Sequence, residues 1–299
     1  MIVVLGASGH TGNVVARTLL ARGQKVRAVG RNVEHLQPLA ALGAEISTAD
    51  ATNASALTSA FKSAEAAYVL LPPNVTSNDV GAYQDRVSDA IAAAVRTAGI
   101  KHVVALSSIG ADKSSGTGPV IGLHNLEQKL NAIDDLNVLH LRAGYFMENT
   151  LPQIRVIPAM GNVVGPIHPT LKLPMIATRD IGGAAVDALL HREFRGKQVR
   201  ELLGQRDLDY TEATSIIGKA IGNPSLAYVQ APDEQLRPAL AQMGMSSNFI
   251  GLLLEMAHAL NSGYMKALEP RTPTNTTPTP FETFVNEEFA PAYRQQIAA

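Results

Sequence analysis

A glycine-rich turn near the start of the chain constrains the fold more than any other feature. The apolar run Ile2–Leu5 leads directly into the sequence Gly-Ala-Ser-Gly-His-Thr-Gly at residues 6–12, and a helical pattern follows over residues 11–22. Four consecutive apolar residues of this kind are typical of a strand buried on both faces of a parallel sheet. The sequence therefore predicts a strand, a glycine loop and a helix in direct succession, which is the start of a βαβ unit.

The glycine loop has the chemistry of a phosphate site. Glycines permit a sharp turn and a close approach of the backbone, and the helix start offers free N–H groups and the positive end of its dipole. Because a strand precedes the loop and a helix follows it, we predict that it binds the pyrophosphate of a nicotinamide dinucleotide. The alternative is an ordinary tight turn. The residues predicted to contact the cofactor here are Gly6, Ser8, Gly9, His10, Thr11 and Gly12.

Strand and helix patterns alternate through the first half of the chain. Six apolar strand patterns, the last at residues 138–141, are separated by helical patterns, of which residues 80–97 are the clearest. Strict alternation predicts an α/β fold, a doubly wound parallel sheet (Rossmann fold), as a domain over residues 1–150. Frequent prolines and glycines then break the rhythm, and helical patterns follow at residues 211–221, 233–243 and 249–260, so residues 151–299 are predicted to form a smaller, mainly helical second domain. Residues 176–204 hold a helix and a strand pattern that could rejoin the sheet.

The end of the second predicted strand discriminates between the two nicotinamide dinucleotides. An Asp or Glu there binds the ribose 2′-hydroxyl of NAD(H), whereas an arginine accommodates the 2′-phosphate of NADP(H). This strand ends in Gly30-Arg31-Asn32, without a carboxylate. We therefore predict that Arg31 binds the 2′-phosphate and that NADP(H) is preferred, with NAD(H) as the weaker cofactor. The alternative is a solvated surface arginine.

Two further strand ends are predicted to contact the cofactor. Asp50 ends the third strand, where its carboxylate could accept a hydrogen bond from the adenine amino group. The alternative for Asp50 is a helix cap or a turn aspartate. Leu71, Pro72 and Pro73 follow the fourth strand and are predicted to run beside the adenine ribose and the pyrophosphate. The alternative for these prolines is simply to end the strand.

A segment after the sixth strand carries a family resemblance. The sequence Arg-Ala-Gly-Tyr-Phe-Met-Glu-Asn at residues 142–149 resembles a signature of the NmrA-like atypical short-chain dehydrogenase/reductases, and the glycine spacing of the first loop resembles that superfamily. The match continues through Ser107-Ser108, residues 124–129 and residues 178–182. The resemblance implies a cofactor domain, a small C-terminal substrate domain and a cleft between them. It also implies contacts along the nicotinamide half of the cofactor by Ser107, Gly144, Tyr145, Phe146 and Asn149.

The pair of catalytic residues used by typical short-chain dehydrogenases is missing. Those enzymes place a lysine four residues after the proton-donating tyrosine, and none of the seven tyrosines here has a lysine at that position. On the corresponding helix, residues 124 and 128 share one face, and residues 125 and 129 share another. We predict Lys129 as a ligand of the nicotinamide ribose and His124 as a proton donor, with a solvated helix face as the alternative for both. Tyr145 is predicted to flank the substrate ring together with Phe146, or else to be a core aromatic.

The missing pair also shifts the predicted chemistry. Reduction of a ketone places a proton on a strongly basic alkoxide, whereas a quinone takes up hydride to give a stabilised hydroquinone anion that water can protonate. Hydride transfer to such an acceptor needs mainly orientation. We therefore predict an NADPH-dependent reductase of a quinone or a similar electrophilic, aromatic small molecule. The alternative is a non-catalytic NADP(H)-binding redox sensor that acts through a protein partner, and an epimerase or dehydratase is a weaker third choice.

Composition argues against several other classes of protein. A formal net charge of −1 on 299 residues argues against a broad nucleic-acid-binding surface. The chain has no cysteine and its eight histidines show no metal-ligand spacing, so no metal site is predicted. No run approaches the ~18 apolar residues of a membrane span, and the first apolar run is too short for a signal peptide. We expect a cytoplasmic protein that contacts neither membranes nor nucleic acids directly, with a homodimer as one compatible assembly.

Overall fold

The computed structural model describes residues 1–298, which form twelve strands and twelve helices together with short helical turns. The strands are β1 (Ile2–Leu5), β2 (Val26–Gly30), β3 (Glu45–Thr48), β4 (Ala66–Val69), β5 (His102–Ser108), β6 (Asn137–Ala143), β7 (Tyr145–Phe146), β8 (Val163–Gly165), β9 (Leu173–Ile176), β10 (Lys197–Leu202), β11 (Asp207–Leu208) and β12 (Tyr228–Gln230). The helices are α1 (His10–Ala21), α2 (Val33–Ala40), α3 (Ala54–Phe61), α4 (Val80–Ala98), α5 (Ile121–Asn131), α6 (Gln153–Met160), α7 (Thr178–His191), α8 (Tyr210–Ile221), α9 (Asp233–Gln242), α10 (Ser247–Asn261), α11 (Phe281–Phe284) and α12 (Ala290–Ala298).

Seven parallel strands form the central sheet, in the order β10-β6-β5-β4-β1-β2-β3. The central strands β1 and β4 are buried along their whole length, as their apolar sequences predict. The chain moves from β1 outward to β3 and then returns to the other side of β1 as β4. This reversal confirms the predicted doubly wound sheet, in which ligands bind outside the carboxyl ends of the strands at the reversal point.

Helices cover both faces of this sheet. On one face, α3, α4 and α5 bury side chains such as Phe61, Ile91 and Leu130. On the other face, α1, α2 and α7 bury a second layer that includes Leu19 and Leu36. Successive residues of β1 point alternately into the two layers, as the two-residue period of a strand requires.

The second half of the chain contains short strands and one helix that the sequence does not predict. A three-stranded sheet in the order β11-β9-β7, a two-stranded sheet of β12 and β8, and helix α6 were all absent from the predicted elements. The strands of these two sheets have two to four residues each, too few for a periodic pattern, and Pro158 inside α6 signals a helix end. Residues 176–204 do return to the central sheet, since β10 pairs with β6 and α7 packs against α1. The domain boundary near residue 150 stays a prediction.

The ends of the predicted elements differ from the observed ones by at most two residues. For example, the helix predicted over residues 80–97 spans Val80–Ala98, and the strand predicted at residues 138–141 spans Asn137–Ala143. Within residues 1–298, no helix combines the length and the apolarity that crossing a membrane requires. The same residues contain no cluster of three or more side chains of the kinds that bind metal ions.

Candidate active site

A cleft of about 990 Å³ lies along the carboxyl ends of the central strands. Small-molecule sites typically enclose ~300–1,000 Å³, so this cleft has room for a large ligand. Most of the predicted site residues line it: Gly6, Ser8, Gly9, His10, Thr11, Arg31, Leu71, Pro72, Pro73, Ser107, Gly144, Tyr145, Phe146 and Asn149. Four predicted residues of the described chain lie outside the lining: Gly12, Asp50, His124 and Lys129.

Two glycines shape the loop after β1 in different ways. Gly6 has a φ of +70°, a left-handed conformation that other residues rarely adopt. Gly12 lies on the first turn of α1, where a Cβ atom would lie only 2.3 Å from the carbonyl oxygen of Gly6. The Gly9 N–H closes the turn by donating to the same oxygen at 2.9 Å. Gly12 therefore supports the loop from behind instead of lining the cleft.

The first turn of α1 is open to a ligand. Among residues 1–298 no side chain caps this helix, and its first turn holds no acidic residue. The N–H groups of a first helical turn have no acceptor within the helix, so they are available to an anion. Tyr68 donates to the Thr11 hydroxyl at 2.9 Å, which leaves the Thr11 proton free to donate in turn. Burial raises the pKa of Tyr68, so it remains a neutral donor.

Arg31 lies where the sequence predicts, directly after β2 and in the lining of the cleft. Its side chain is exposed and has no ion-pair partner within the described chain. Asp50 is instead a turn aspartate, because its Oδ1 accepts from the Thr52 N–H and from the Thr52 hydroxyl, each at 2.8 Å. These bonds lower the pKa of Asp50, and the charge of Arg31 adds to the effect. The structure thus favours the turn alternative for Asp50, and its neighbours Ala49 and Ala51 line the cleft.

Helix α4 contributes cleft residues that sequence reasoning missed. Tyr83 is only 8% exposed, lines the cleft, and its hydroxyl has no hydrogen-bond partner among the described residues. Burial raises the pKa of Tyr83 and the nearby charge of Arg31 lowers it, so this hydroxyl lies in the field of the arginine. The sequence predicts a helix over residues 80–97 but assigns Tyr83 no place in the cofactor site. Only the fold shows that the first turn of this helix reaches the cleft beside Arg31.

Ser107 is held by a buried hydrogen-bond network. Its hydroxyl donates to Glu127 Oε1 at 2.5 Å, and Arg142 donates to the same carboxylate through Nε at 3.0 Å and Nη2 at 2.6 Å. Ser107 and Glu127 are 3% and 2% exposed. The hydrogen bond to Glu127 raises the pKa of Arg142. Because the Ser107 proton is committed to a carboxylate, its oxygen can act toward a ligand only as an acceptor.

His124 and Lys129 lie on α5, and neither lines the cleft. Lys129 Nζ pairs with Asp89 at 2.7 Å and donates to Ser88 Oγ at 2.9 Å, both on the neighbouring α4. The His124 Nδ1 atom is hydrogen-bonded to Ala111 O at 2.8 Å. The structure therefore does not bring either side chain to a bound ribose or substrate, in line with the helix-face alternative. We assign neither residue a role in the reaction.

The segment after β6 forms one wall of the cleft. Gly144 allows β7 to approach β9, since a Cβ atom on Gly144 would lie 2.2 Å from Pro174 O. Tyr145 and Phe146, which make up β7, both line the cleft. The Tyr145 hydroxyl is hydrogen-bonded to the Tyr210 hydroxyl at 2.9 Å, and burial raises the pKa of Tyr145. Tyr145 therefore offers a ring to the cleft, and its hydroxyl is either the donor or the acceptor of the bond to Tyr210.

Glu148, in the same wall, is a second residue that sequence reasoning missed. It is 9% exposed, and its Oε1 accepts from the Thr178 N–H at 2.8 Å and from the Thr178 hydroxyl at 2.5 Å. A carboxylate at the start of α7 complements the dipole of that helix. Its Oε2 is buried without a hydrogen-bond partner in the described part of the chain. A buried acceptor in a cleft residue is available to a donor on a bound molecule.

The other end of the cleft is apolar. Helix α10 contributes four residues of this surface, and the turn before α5, α5 itself, β9 and the segment after α10 contribute one each. The apolar residues are Val120, Leu123, Leu173, Phe249, Leu253, Met256, Leu260 and Met265. An apolar end of this kind excludes water and favours a flat, largely apolar ligand.

Comparisons with known proteins find relatives over the whole length of the chain. The chain is 26% identical over 301 residues to the NAD(P)H azoreductase of Xenophilus azovorans, covering 100% of both chains. Its fold resembles the NADPH-dependent quinone oxidoreductase of Escherichia coli complexed with NADPH (TM-score 0.77, 22% identity, 99% of this chain and 100% of that one). It also resembles the Citrobacter sp. triphenylmethane reductase complexed with NADP(H) (TM-score 0.79, 18% identity, 96% and 99%). A model of the NmrA-like family matches residues 1–289, and the chain therefore belongs to the NmrA-like family.

Proposed function

We propose that this protein is an NADPH-dependent reductase that transfers hydride to a quinone or a similar electrophilic, aromatic small molecule. The observation that carries the proposal is the extent of the cleft. At one end lie the uncapped start of α1 and Arg31, which has no ion-pair partner within residues 1–298, and at the other end lies an aromatic and apolar surface. The azoreductase, quinone oxidoreductase and triphenylmethane reductase relatives support the same type of reaction.

The first end of the cleft fits NADPH. The N–H groups at the start of α1, together with the hydroxyls of Ser8 and Thr11, are suited to the pyrophosphate. Arg31 is suited to the 2′-phosphate, with the Tyr83 hydroxyl nearby. Glu148 Oε2 and Ser107 Oγ are acceptors for donors on the nicotinamide half. When bound, NADPH supplies hydride from its nicotinamide ring, and the chain orients the two reactants.

The second end of the cleft fits an acceptor that needs no dedicated proton donor. Ser107 has committed its proton, and the Tyr145 hydroxyl is bonded to that of Tyr210. Quinones and azo compounds take up hydride to give anions that water can protonate, and a dye cation takes up hydride to give a neutral product that needs no proton. In this proposal Tyr145 and Phe146 hold the acceptor ring by stacking, and the apolar surface beyond them excludes water. Residues after 150 supply most of the substrate contacts.

Turnover with a panel of acceptors tests the proposal. We expect the purified protein to oxidise NADPH in the presence of 1,4-naphthoquinones, azo dyes or triphenylmethane dyes, and to leave simple ketones unreduced. The measurement is the loss of reduced-nicotinamide absorbance with each acceptor under anaerobic conditions. Tight binding of NADPH without turnover of any acceptor would contradict the proposal and favour the redox-sensor alternative.

Replacement of Arg31 by alanine is expected to weaken NADPH binding by roughly ten- to hundredfold, the ~1.5–3 kcal/mol of a charge-assisted contact with phosphate. NADH affinity should stay within about twofold, because NADH has no 2′-phosphate. The measurement is calorimetric titration of both cofactors. Arg22→Ala, which removes an exposed arginine outside the cleft, is the matched control. Equal NADPH affinity in wild type and Arg31→Ala would refute the assignment of the phosphate site.

A further inference from the structure

A wall of the cleft is formed by the segment at residues 265–271, which is fixed at both ends. The Met265 N–H donates to Ala259 O at 2.9 Å, and Arg271 donates to Gly204 O and pairs with Asp207. Met265 also packs tightly beneath the end of β5, since a Cβ atom on Gly110 would lie 2.7 Å from Met265 Cε. The cleft-lining residues of this segment are Met265, Lys266, Ala267, Glu269, Pro270 and Arg271.

The middle of the 265–271 wall depends on Glu201. This residue lies near the end of β10 and is 2% exposed. The Leu268 N–H donates to both carboxylate oxygens and the Glu269 N–H donates to Oε2, each at 3.0 Å. Within the described chain these are the only hydrogen bonds made by the backbone of residues 266–269. Leu268 itself is 54% exposed, so its backbone and not its side chain fastens the wall.

The burial of Glu201 makes this attachment a strong one. No lysine or arginine among residues 1–298 forms an ion pair with it, and Arg142, its neighbour in the register of β6 and β10, is paired with Glu127. A buried carboxylate must be compensated by hydrogen bonds. Here the compensation comes from two N–H groups of the cleft wall. Moving the wall would leave the carboxylate buried and unsatisfied, so the wall is held in one position.

We propose that Glu201 is a positioning residue that fixes the 265–271 wall and thereby sets which electron acceptors fit the cleft. The inference rests on the proposed function for the identity of the ligand, but not for the position of the wall. Glu201 lies behind the wall and does not line the cleft, so it acts through Leu268 and Glu269. The glycine loop and Arg31 are on other elements. Loss of the attachment should therefore weaken acceptor binding and leave cofactor binding unchanged.

The test compares Glu201→Gln with Asp180→Asn. A glutamine keeps the size of Glu201 but removes its charge and replaces one of its two acceptor oxygens by an NH2 donor, which opposes the N–H groups of the wall. Asp180 is a matched control because its carboxylate accepts two hydrogen bonds from Thr279 and fastens a nearby part of the same C-terminal chain, outside the cleft. The measurements are amide hydrogen exchange of Leu268 and Glu269, the Kd for NADPH, and kcat and KM for a 1,4-naphthoquinone.

For Glu201→Gln we expect exchange of the two amides at least about tenfold faster. We also expect KM for the quinone raised about tenfold, kcat within about threefold and the Kd for NADPH within about twofold. Asp180→Asn should change none of these by more than about twofold. Glu201→Asp keeps both carboxylate oxygens on a shorter side chain, so its effects should lie between those of wild type and Glu201→Gln. It takes the place of Glu201→Gln if that variant does not fold.

Three results would overturn the proposal: unchanged exchange at Leu268 and Glu269, an equal loss of NADPH and quinone affinity, or faster exchange without weaker quinone binding. If wild type reduces no acceptor, the proposed function fails, but the positioning role of Glu201 can still be tested. In that case the Kd of the quinone for the NADP-bound protein takes the place of KM. Faster exchange with weaker quinone binding in Glu201→Gln would support the proposal, and faster exchange with unchanged quinone binding would contradict it.

Discussion

Substitution of Gly12 by alanine is expected to abolish NADPH binding at concentrations that saturate the wild type. The new Cβ atom would lie 2.3 Å from the carbonyl oxygen of Gly6, so the glycine loop must open or the start of α1 must shift. Either change misplaces the N–H groups that face the pyrophosphate. We expect Kd to rise at least ~100-fold, or about 2.7 kcal/mol, and the free energy of unfolding to fall by about 1–3 kcal/mol because of the overpacking.

A glycine elsewhere in the same layer provides the control. Gly183 lies inside α7, where an added Cβ would meet no atom within 4 Å. Gly183→Ala should therefore leave NADPH binding unchanged and increase stability by up to about 1 kcal/mol, the difference in helix propensity. Titration and urea unfolding of both variants check the pair. Wild-type affinity in Gly12→Ala would show that the loop tolerates a side chain and is not closely fitted to phosphate.

The second large expected effect is a loss of stability when the buried ion pair between Arg142 and Glu127 is broken. Arg142→Met should lower the free energy of unfolding by about 3–5 kcal/mol, since it leaves a buried carboxylate without its cation. The side chains are 12% and 3% exposed, so water cannot readily compensate the lost charge. Urea unfolding at neutral pH measures the loss. A change of less than about 1 kcal/mol would mean that the pair is effectively solvated.

The double variant distinguishes the effect of the lost charge on stability from the effect of altered side-chain packing. Arg142→Met combined with Glu127→Leu removes both charges, so it should recover most of the stability lost by Arg142→Met alone. It also deprives the Ser107 hydroxyl of its acceptor at 2.5 Å. We therefore expect the double variant to fold but to bind the nicotinamide half of the cofactor less well. Equal destabilisation in the single and double variants would point to packing instead of charge.

The cofactor end of the site could be predicted from the sequence because its determinants are local. Gly6 and Arg31 each follow a strand by one residue, and a strand end fixes its position at the edge of a parallel sheet. The apolar runs of β1 and β4 likewise required burial on both faces. Local pattern therefore predicted the central sheet and most of the residues that line the proposed cofactor end of the cleft.

The remaining parts depend on contacts between distant residues. Glu127 meets Ser107 and Arg142 only after α5 has packed on the sheet, and Glu201 meets Leu268 across 67 residues of chain. No spacing rule connects such residues. The short strands β7 and β9 carry too few residues for periodicity, yet they place the Tyr145 ring in the cleft.

The prediction for α5 illustrates a different difficulty. Helical spacing correctly placed residues 125 and 129 on one face, but it could not say which face meets the cleft. In the structure that face packs against α4, where Lys129 pairs with Asp89. The neighbouring Glu127 turns inward instead. The Arg142 of the family signature was the available signal, because an arginine at the end of a buried strand requires a carboxylate partner.

In the proposed function, the cleft holds NADPH in one orientation beside an acceptor, and hydride passes directly from NADPH to that acceptor. Single-turnover oxidation of NADPH deuterated at either face of the nicotinamide C4 tests this most directly, with a 1,4-naphthoquinone as acceptor. We expect NADPH to be oxidised one-to-one with quinone. The deuterium should be lost from one of the two NADPH isomers and retained in the NADP formed from the other. NADPH that binds tightly but stays unoxidised by any acceptor, or that loses label from both isomers equally, would contradict it.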